Sequence, residues 1–181
     1  MKQENNKKKK KNSTNSWFFI IFVGSFFLSL FFSYVSTNAL TGLDIIPAIL
    51  LVLLVVFLGI IFDIIGLAVT VAKEENFHAQ GSKKIKGAKT AIKLIRNAPR
   101  VSNLCADVIG DIAGVLSGAM SAIIAIKLTS NYGIDEFVQY LISATVAALT
   151  IGGKAIGKGI AIRYSNQIVN MVSKVLSGVY K

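Results

Sequence analysis

Cysteine and histidine are almost absent from this chain of 181 residues, which has only Cys105 and His78. One thiol cannot close an intramolecular disulfide or furnish a multi-cysteine zinc site. One imidazole in a basic connector lacks the companions that a metal site or a catalytic triad needs, so it reads as a solvated or headgroup-facing side chain. Acidic residues are also scarce, nine against 20 Lys and Arg, for a net charge of +11. That excess does not point to nucleic acid, because the basic residues sit in an amino-terminal tail and in segments between apolar runs. Such placement fits anionic lipid headgroups better than a DNA groove. What remains is apolar: 53% of the chain, with a mean hydropathy of +0.61. A bilayer is the solvent for which this composition is suited.

The expected fold is an all-α membrane protein with about four transmembrane helices, a basic juxtamembrane helical connector and a C-terminal amphipathic helix. Residues 1–16, with the run Lys7 to Lys11, read as a disordered cytoplasmic tail held loosely by anionic lipid. The first transmembrane helix covers 17–36, and its 19 nearly uninterrupted apolar residues from Trp17 to Val35 suffice to cross the hydrocarbon layer. A cleaved signal peptide is the competing reading. The stretch exceeds the usual signal-peptide core, and its exit from Tyr34 to Ala39 is a weak cleavage site, which favours a retained helix.

Residues 44–181 form the rest of the membrane domain. The second span covers about 44–72, with Pro47 in its first turn, where a missing amide proton matters little. The connector 73–100 holds eight Lys or Arg residues and runs to Pro99 near its end. Within it Ile85, Ala88, Ile92 and Ile95 recur at helical spacing beside Lys86, Lys89, Lys93 and Arg96, as in a helix lying on the membrane surface. The third span, about 101–128, contains Asp107 and Asp111. The fourth, about 134–162, contains Gly152, Gly153, Lys154, Gly157, Lys158 and Gly159. Both are less apolar than the first two and belong in the bundle interior. In 163–181, Ile168, Val172, Val175 and Val179 share one face of an amphipathic helix.

Orientation follows from the basic residues. The tail has six lysines, 37–43 has no basic residue, the long connector has eight, and only Lys127 stands beside the turn near Asn131. Both termini are therefore expected on the cytoplasmic side of the plasma membrane, with the chain crossing four times.

Five ionisable side chains lie within the spans: Asp63, Asp107, Asp111, Lys154 and Lys158. An ionised group at mid-span costs about 2.5 to 3.5 kcal/mol on insertion scales, so each needs a partner or a task. Asp63 lies ten residues from Lys73, Asp111 eleven from Arg100 and Lys154 nine from Arg163. At 1.5 Å per residue, all three come to one level, roughly 13 to 17 Å above the inner boundary. Asp107 and Lys158, one turn lower, form a shallower level. The coincidence points to one polar site, with Asp63, Asp107 and Asp111 as ligands for a hard cation such as Mg²⁺ and Lys154 and Lys158 as counter-charges. Ser102, Asn103, Ser117 and Ser121 add oxygens near the third span. Mutual neutralisation in buried ion pairs is the plainer alternative. Gly110, Gly114 and Gly118 recur every four residues and read as a helix-packing face. Around Lys154 the glycines admit either a wide turn or a simple packing face.

From about Ile46 to Lys174 the order of these features resembles the membrane domain of the CorB/CorC and CNNM magnesium transporters. Phe62-Asp63-Ile64-Ile65-Gly66-Leu67-Ala68 resembles the family's first small polar motif, with Asp63 where a serine ligand is usual. Asp107 and Asp111 stand where asparagines are usual. Gly153-Lys154-Ala155-Ile156-Gly157-Lys158 occupies the place of the family's Gly-Glu-x-x-Pro-Lys motif, with Lys154 replacing the glutamate and Gly157 the proline. The resemblance implies a homodimer that moves Mg²⁺ or Co²⁺. The chain ends where family members continue into CBS modules, so regulation by ATP is not implied.

Two functions follow as expectations: a divalent-cation transporter-like protein, with Mg²⁺ as the bound or transported ion, or a non-transporting scaffold or accessory subunit whose Asp and Lys residues are ion-paired for assembly. An enzyme is not expected, since the spans hold no paired His and carboxylate and no serine with a base nearby other than Lys.

Overall fold

The computed structural model describes residues 2–133, 135 and 137–179, with the side chains of 2–18 and of 179 outside that description. It is all-helical, with no strand among the described residues. Four helical stretches are long and apolar enough to cross a membrane: Phe19–Thr41, Ile45–Val71, Ala98–Tyr132 and Phe137–Arg163. They match the four expected spans, with ends moved by a few residues. Ile134, the expected start of the fourth span, and the Val179 side chain lie outside the described residues.

Helix α1 runs from Lys2 to Thr41. The segment expected to be a disordered tail is thus helical from Lys2 onward. Lys, Gln and Glu are good helix formers, and lengthening an existing helix gains a hydrogen bond for each residue ordered. A tight turn then leads into α2 (Ile45–Val71), which has Pro47 in its first turn. The carbonyl groups left open at the end of α1 are met by Lys127, whose ammonium donates to the oxygens of Leu40 (2.5 Å), Thr41 (3.2 Å) and Leu43 (2.9 Å).

The connector folds into α3 (Glu74–Ser82) and α4 (Ala88–Arg96). The third span is built from α5 (Ala98–Ser102), a π-helical segment (Asn103–Gly110) and α6 (Asp111–Tyr132), closed by Gly133 in the left-handed region at φ +62°. The fourth span is α7 (Phe137–Arg163), whose first amide donates to Asp135 Oδ1 at 2.8 Å. After it, α8 (Ser165–Val179) folds back.

Central to the bundle is α2, which packs against α5, the π segment, α6, α7 and α8, whereas α1 packs chiefly on α6. Two apolar cores occupy opposite ends of α2. At the α1–α2 turn, Leu40, Ala48, Val52 and Val56 meet Met120 and Ile124. At the connector end, Phe77, fully buried, meets Ala68, Val69, Ala72, Ala91, Ala161 and Val169. This second core gives the connector, expected to lie along the membrane surface, a contact with protein as well. Ala88 and Ala91 are buried and Ile92 and Ile95 are packed in protein, while Ile85 is exposed.

Helix α8, expected as an amphipathic surface helix, also meets protein along a face beside its apolar arc. Ser165, Val169 and Ser173 are buried, whereas Val175 is exposed and Met171 is 70% exposed. Small side chains permit the closer approach. A methyl group on Gly87, which sits at φ +90°, would be 2.9 Å from Ser173 Oγ and 3.1 Å from the Lys174 nitrogen. The apolar arc of α8 is left to face outward beside the protein contact.

Candidate intramembrane ion site

Gly59, Asp63 and Gly66 fall on one face of α2, at the spacing of one and two helical turns. That face packs on the π segment. A methyl group on Gly59 would lie 2.8 Å from Ala113 Cβ and 3.5 Å from the Gly110 oxygen; one on Gly66 would lie 3.1 Å from the Ala106 nitrogen and 3.3 Å from the Ser102 oxygen. Two glycines therefore bring the backbones together on either side of Asp63. Asp63 is 7% exposed, and its Oδ2 is sealed from solvent with no hydrogen-bond partner among the described residues. A buried carboxylate oxygen without a partner is expensive, and where it persists it asks for an explanation.

The opposing backbone is unusual in the same place. Over Asn103–Gly110 the hydrogen bonds shift to the wider π pattern, which occurs mostly as short interruptions within α-helices and often at functional sites. The glycine-rich part of α7 offered the alternatives of a wide turn or a packing face, and there the helix stays regular. Gly153 and Gly157 receive the side chains of Ile60 and Ile64 from α2, as in ordinary small-residue packing. The wide turn lies in the third span instead.

Asp111 and Lys154, expected at one depth, do meet: Lys154 Nζ donates to Asp111 Oδ1 at 2.9 Å across α6 and α7. The Lys154 side chain is 20% exposed and that of Asp111 67%. The ammonium lies close to Gly110, 3.8 Å from where a methyl group there would be. Asp107 and Lys158 are both exposed, and neither forms an ion pair among the described residues. Asp107 lies within the π segment, and Asp111 opens the regular helix that follows it.

The three aspartates proposed as joint ligands are not gathered. Among the described residues no group of three His, Cys, Asp or Glu side chains is placed to hold a metal ion. Asp63 faces the π segment, Asp111 is held by Lys154, and Asp107 points away from the protein interior. The hydroxyls of Ser117 and Ser121 donate to carbonyls of their own helix, Gly114 at 2.9 Å and Gly118 at 2.7 Å. Of the repeated glycines, Gly110 packs against the Gly59 carbonyl, Gly114 makes ordinary contact with Thr150, and Gly118 has open space before it.

Outside the spans, Glu74 collects two donors: His78 Nε2 and Arg96 Nη2 each lie 2.8 Å from its Oε1. Hydrogen bonds from His78 and then Arg96 hold this carboxyl below its ordinary value. The Asn166 side chain of α8 accepts from the Lys73 amide at 3.1 Å, joining the start of the connector to the last helix. Comparison with protein-family models, with curated proteins and with solved structures finds no match to this chain.

Proposed function

We propose that this multi-pass membrane protein is of the divalent-cation transporter type, taking Mg²⁺ or a similar hard cation at mid-membrane on Asp63. The observation that carries this reading is the buried carboxylate of Asp63 with an unpartnered oxygen, on the face of α2 that meets the π segment. Hard cations take carboxylate and carbonyl oxygens. The Ser102 and Gly110 carbonyls flank the glycines on either side of Asp63. Lys154, in the place of the glutamate that the magnesium-transporter resemblance would require, binds Asp111 and so leaves Asp63 without a counter-charge among the described residues. In this reading the site centres on one carboxylate, with the Asp111–Lys154 pair beside it as a nearly neutral neighbour.

The same proposal places the connector, α8 and both termini on the cytoplasmic side of the plasma membrane, where exposed lysines such as Lys86, Lys89 and Lys93 meet anionic headgroups rather than nucleic acid. The protein works as a homodimer. A second reading, a non-transporting scaffold or accessory subunit, is favoured by the Asp111–Lys154 pair, which neutralises two of the five charges within the spans.

Mg²⁺ uptake into liposomes holding the purified full chain separates the two. The native chain should carry flux, and Asp63→Asn should lower it at least about tenfold, the loss of one charged ligand, while insertion and helicity stay unchanged. Equal flux in Asp63→Asn would remove Asp63 from the path, and no flux in the native chain would leave the scaffold reading.

A further inference from the structure

Away from the core at the α1–α2 turn, α1 rests on α6 and stands off from α2. The wedge this leaves is a cavity of about 360 Å³, walled by Leu28 and Phe32 of α1, Leu58 and Phe62 of α2, and Ile112 and Leu116 of α6, with the rest of its lining also apolar. A second hollow, of about 220 Å³, lies nearer the basic end, between Ile21 of α1 and Val101, Leu104 and Val108 of the third span, and Arg100 stands at its edge. Ile21, Leu28 and Phe32 fall on one line of α1, two turns and then one turn apart, and Val108 adjoins Ile109, which lines the wedge. The two hollows therefore lie end to end along one seam.

The walls decide what can fill this space in a bilayer. Water stays in a cavity only where it finds two or more polar partners, and the wedge is apolar throughout. A helix, about 10 Å across with its side chains, is too thick. A hydrocarbon tail is thin enough, and the walls belong to helices that are apolar enough to cross a membrane. At the basic end, exposed Arg100 carries the charge that a lipid phosphate complements. A guanidinium has five donors, so it can take a phosphate beside any contact it makes within the chain. Length agrees as well. Ile109 and Ile112 are nine and twelve residues beyond Arg100, at most about 14 and 18 Å along the helix axis, and one leaflet of the hydrocarbon layer is about 15 Å deep.

We propose that the two hollows hold one anionic phospholipid from the leaflet at the basic end, with its phosphate on Arg100 and one tail running between α1 and the third span into the wedge beside α2. Gly59 lines the wedge and also makes the close approach beside Asp63, so the tail lies against the seam that covers this carboxylate. This inference needs a chain that spans the bilayer and does not rest on ion passage; a protein that carries no Mg²⁺ would hold the lipid equally.

The test is native mass spectrometry of the purified full chain in mild detergent, with one lipid added at a time. The native chain should keep one molecule of dioleoyl phosphatidylglycerol and prefer it about fivefold over dioleoyl phosphatidylcholine, the effect of one basic residue near an anionic headgroup. Arg100→Gln should erase that preference, whereas Lys86→Gln, on the exposed connector, should leave it unchanged. Dilauroyl phosphatidylglycerol, whose shorter tail stops before the wedge, should be kept less well than the dioleoyl lipid, and Leu28→Trp, which fills the wedge, should remove the difference. Equal retention of both headgroups by the native chain, or a preference that survives Arg100→Gln, would overturn the phosphate contact, and equal retention of both tails would overturn the wedge. The comparisons on the native chain need no variant, so misfolding of Leu28→Trp does not shield the proposal. Displacement of the retained lipid by glycerol phosphate would show that the headgroup binds without its tail, and the proposal would fail.

Discussion

Two carboxylates in this molecule are each held by a cation at nearly the same distance, Glu74 by Arg96 at 2.8 Å on the connector and Asp111 by Lys154 at 2.9 Å within the spans. Their surroundings differ. Glu74 lies among exposed side chains at the basic end, where water and salt screen the pair and the two long side chains lose freedom to form it. Asp111 and Lys154 lie on helices apolar enough to cross a membrane; inside hydrocarbon no water would compete, and the alternative to pairing would be an ion against lipid. The same contact is thus worth little in one region and much in the other. Asp63 supplies the third case, a carboxylate hidden by packing with no cation beside it among the described residues.

The largest effect is expected from Lys154→Ala, which leaves Asp111 charged and alone. A loss of about 2 to 3 kcal/mol is anticipated, read as a fall in the thermal midpoint of the protein in lipid nanodiscs. Exchanging the two residues, Asp111→Lys with Lys154→Asp, should recover most of it; an exchange as unstable as the single change would show that position rather than charge matters. Asp63→Asn should act in the opposite direction. Removing an unpartnered buried charge should raise stability by about 1 to 2 kcal/mol, while Mg²⁺ uptake is lost. A destabilised Asp63→Asn protein would mean that the carboxylate already has a partner and would end its contrast with Asp111.

Much of this arrangement was legible in the amino-acid order, and the failures have identifiable causes. Span positions follow from length and hydropathy, and the meeting of Asp111 with Lys154 follows from counting residues to the nearest basic boundary. The same count, which put Asp107 under Asp111, assumes one helical pitch throughout. The π segment changes that pitch, and nothing in Asn103–Gly110 except its terminal glycine marks a change in hydrogen bonding. Asp63 was expected beside Asp107 and Asp111, and depth does not reveal which face of α2 meets which neighbour. Gly59 and Gly66, at helical spacing around it, were the signal for the close seam.

On α8 the apolar arc was read as the face of a membrane-surface helix, and the contact with protein is made beside it by Ser165, Val169 and Ser173. Hydrophobic pattern alone cannot distinguish a face turned to lipid from one turned to protein. Lys127 was noted only as a lone charge near an outer turn; the open carbonyls at the end of α1 were the reason to expect it there.

The smallest effect is expected from Glu74→Gln, the aqueous counterpart of breaking the Asp111 pair. His78 and Arg96 hold the Glu74 carboxyl below its ordinary value, so their contribution is present above the unfolded-state value and fades as pH falls through the folded one. Above the unfolded-state value the α3 amides of the native chain should exchange with deuterium more slowly than those of Glu74→Gln. At lower pH, once Glu74 is protonated, the two should converge. The thermal midpoint should be the same in both within the error of the scan, because Phe77 and not the ion pair anchors α3 to the bundle. A fall in the midpoint comparable to that of Lys154→Ala would mean that the connector pair is shielded from water, and the distinction between the two regions would no longer stand.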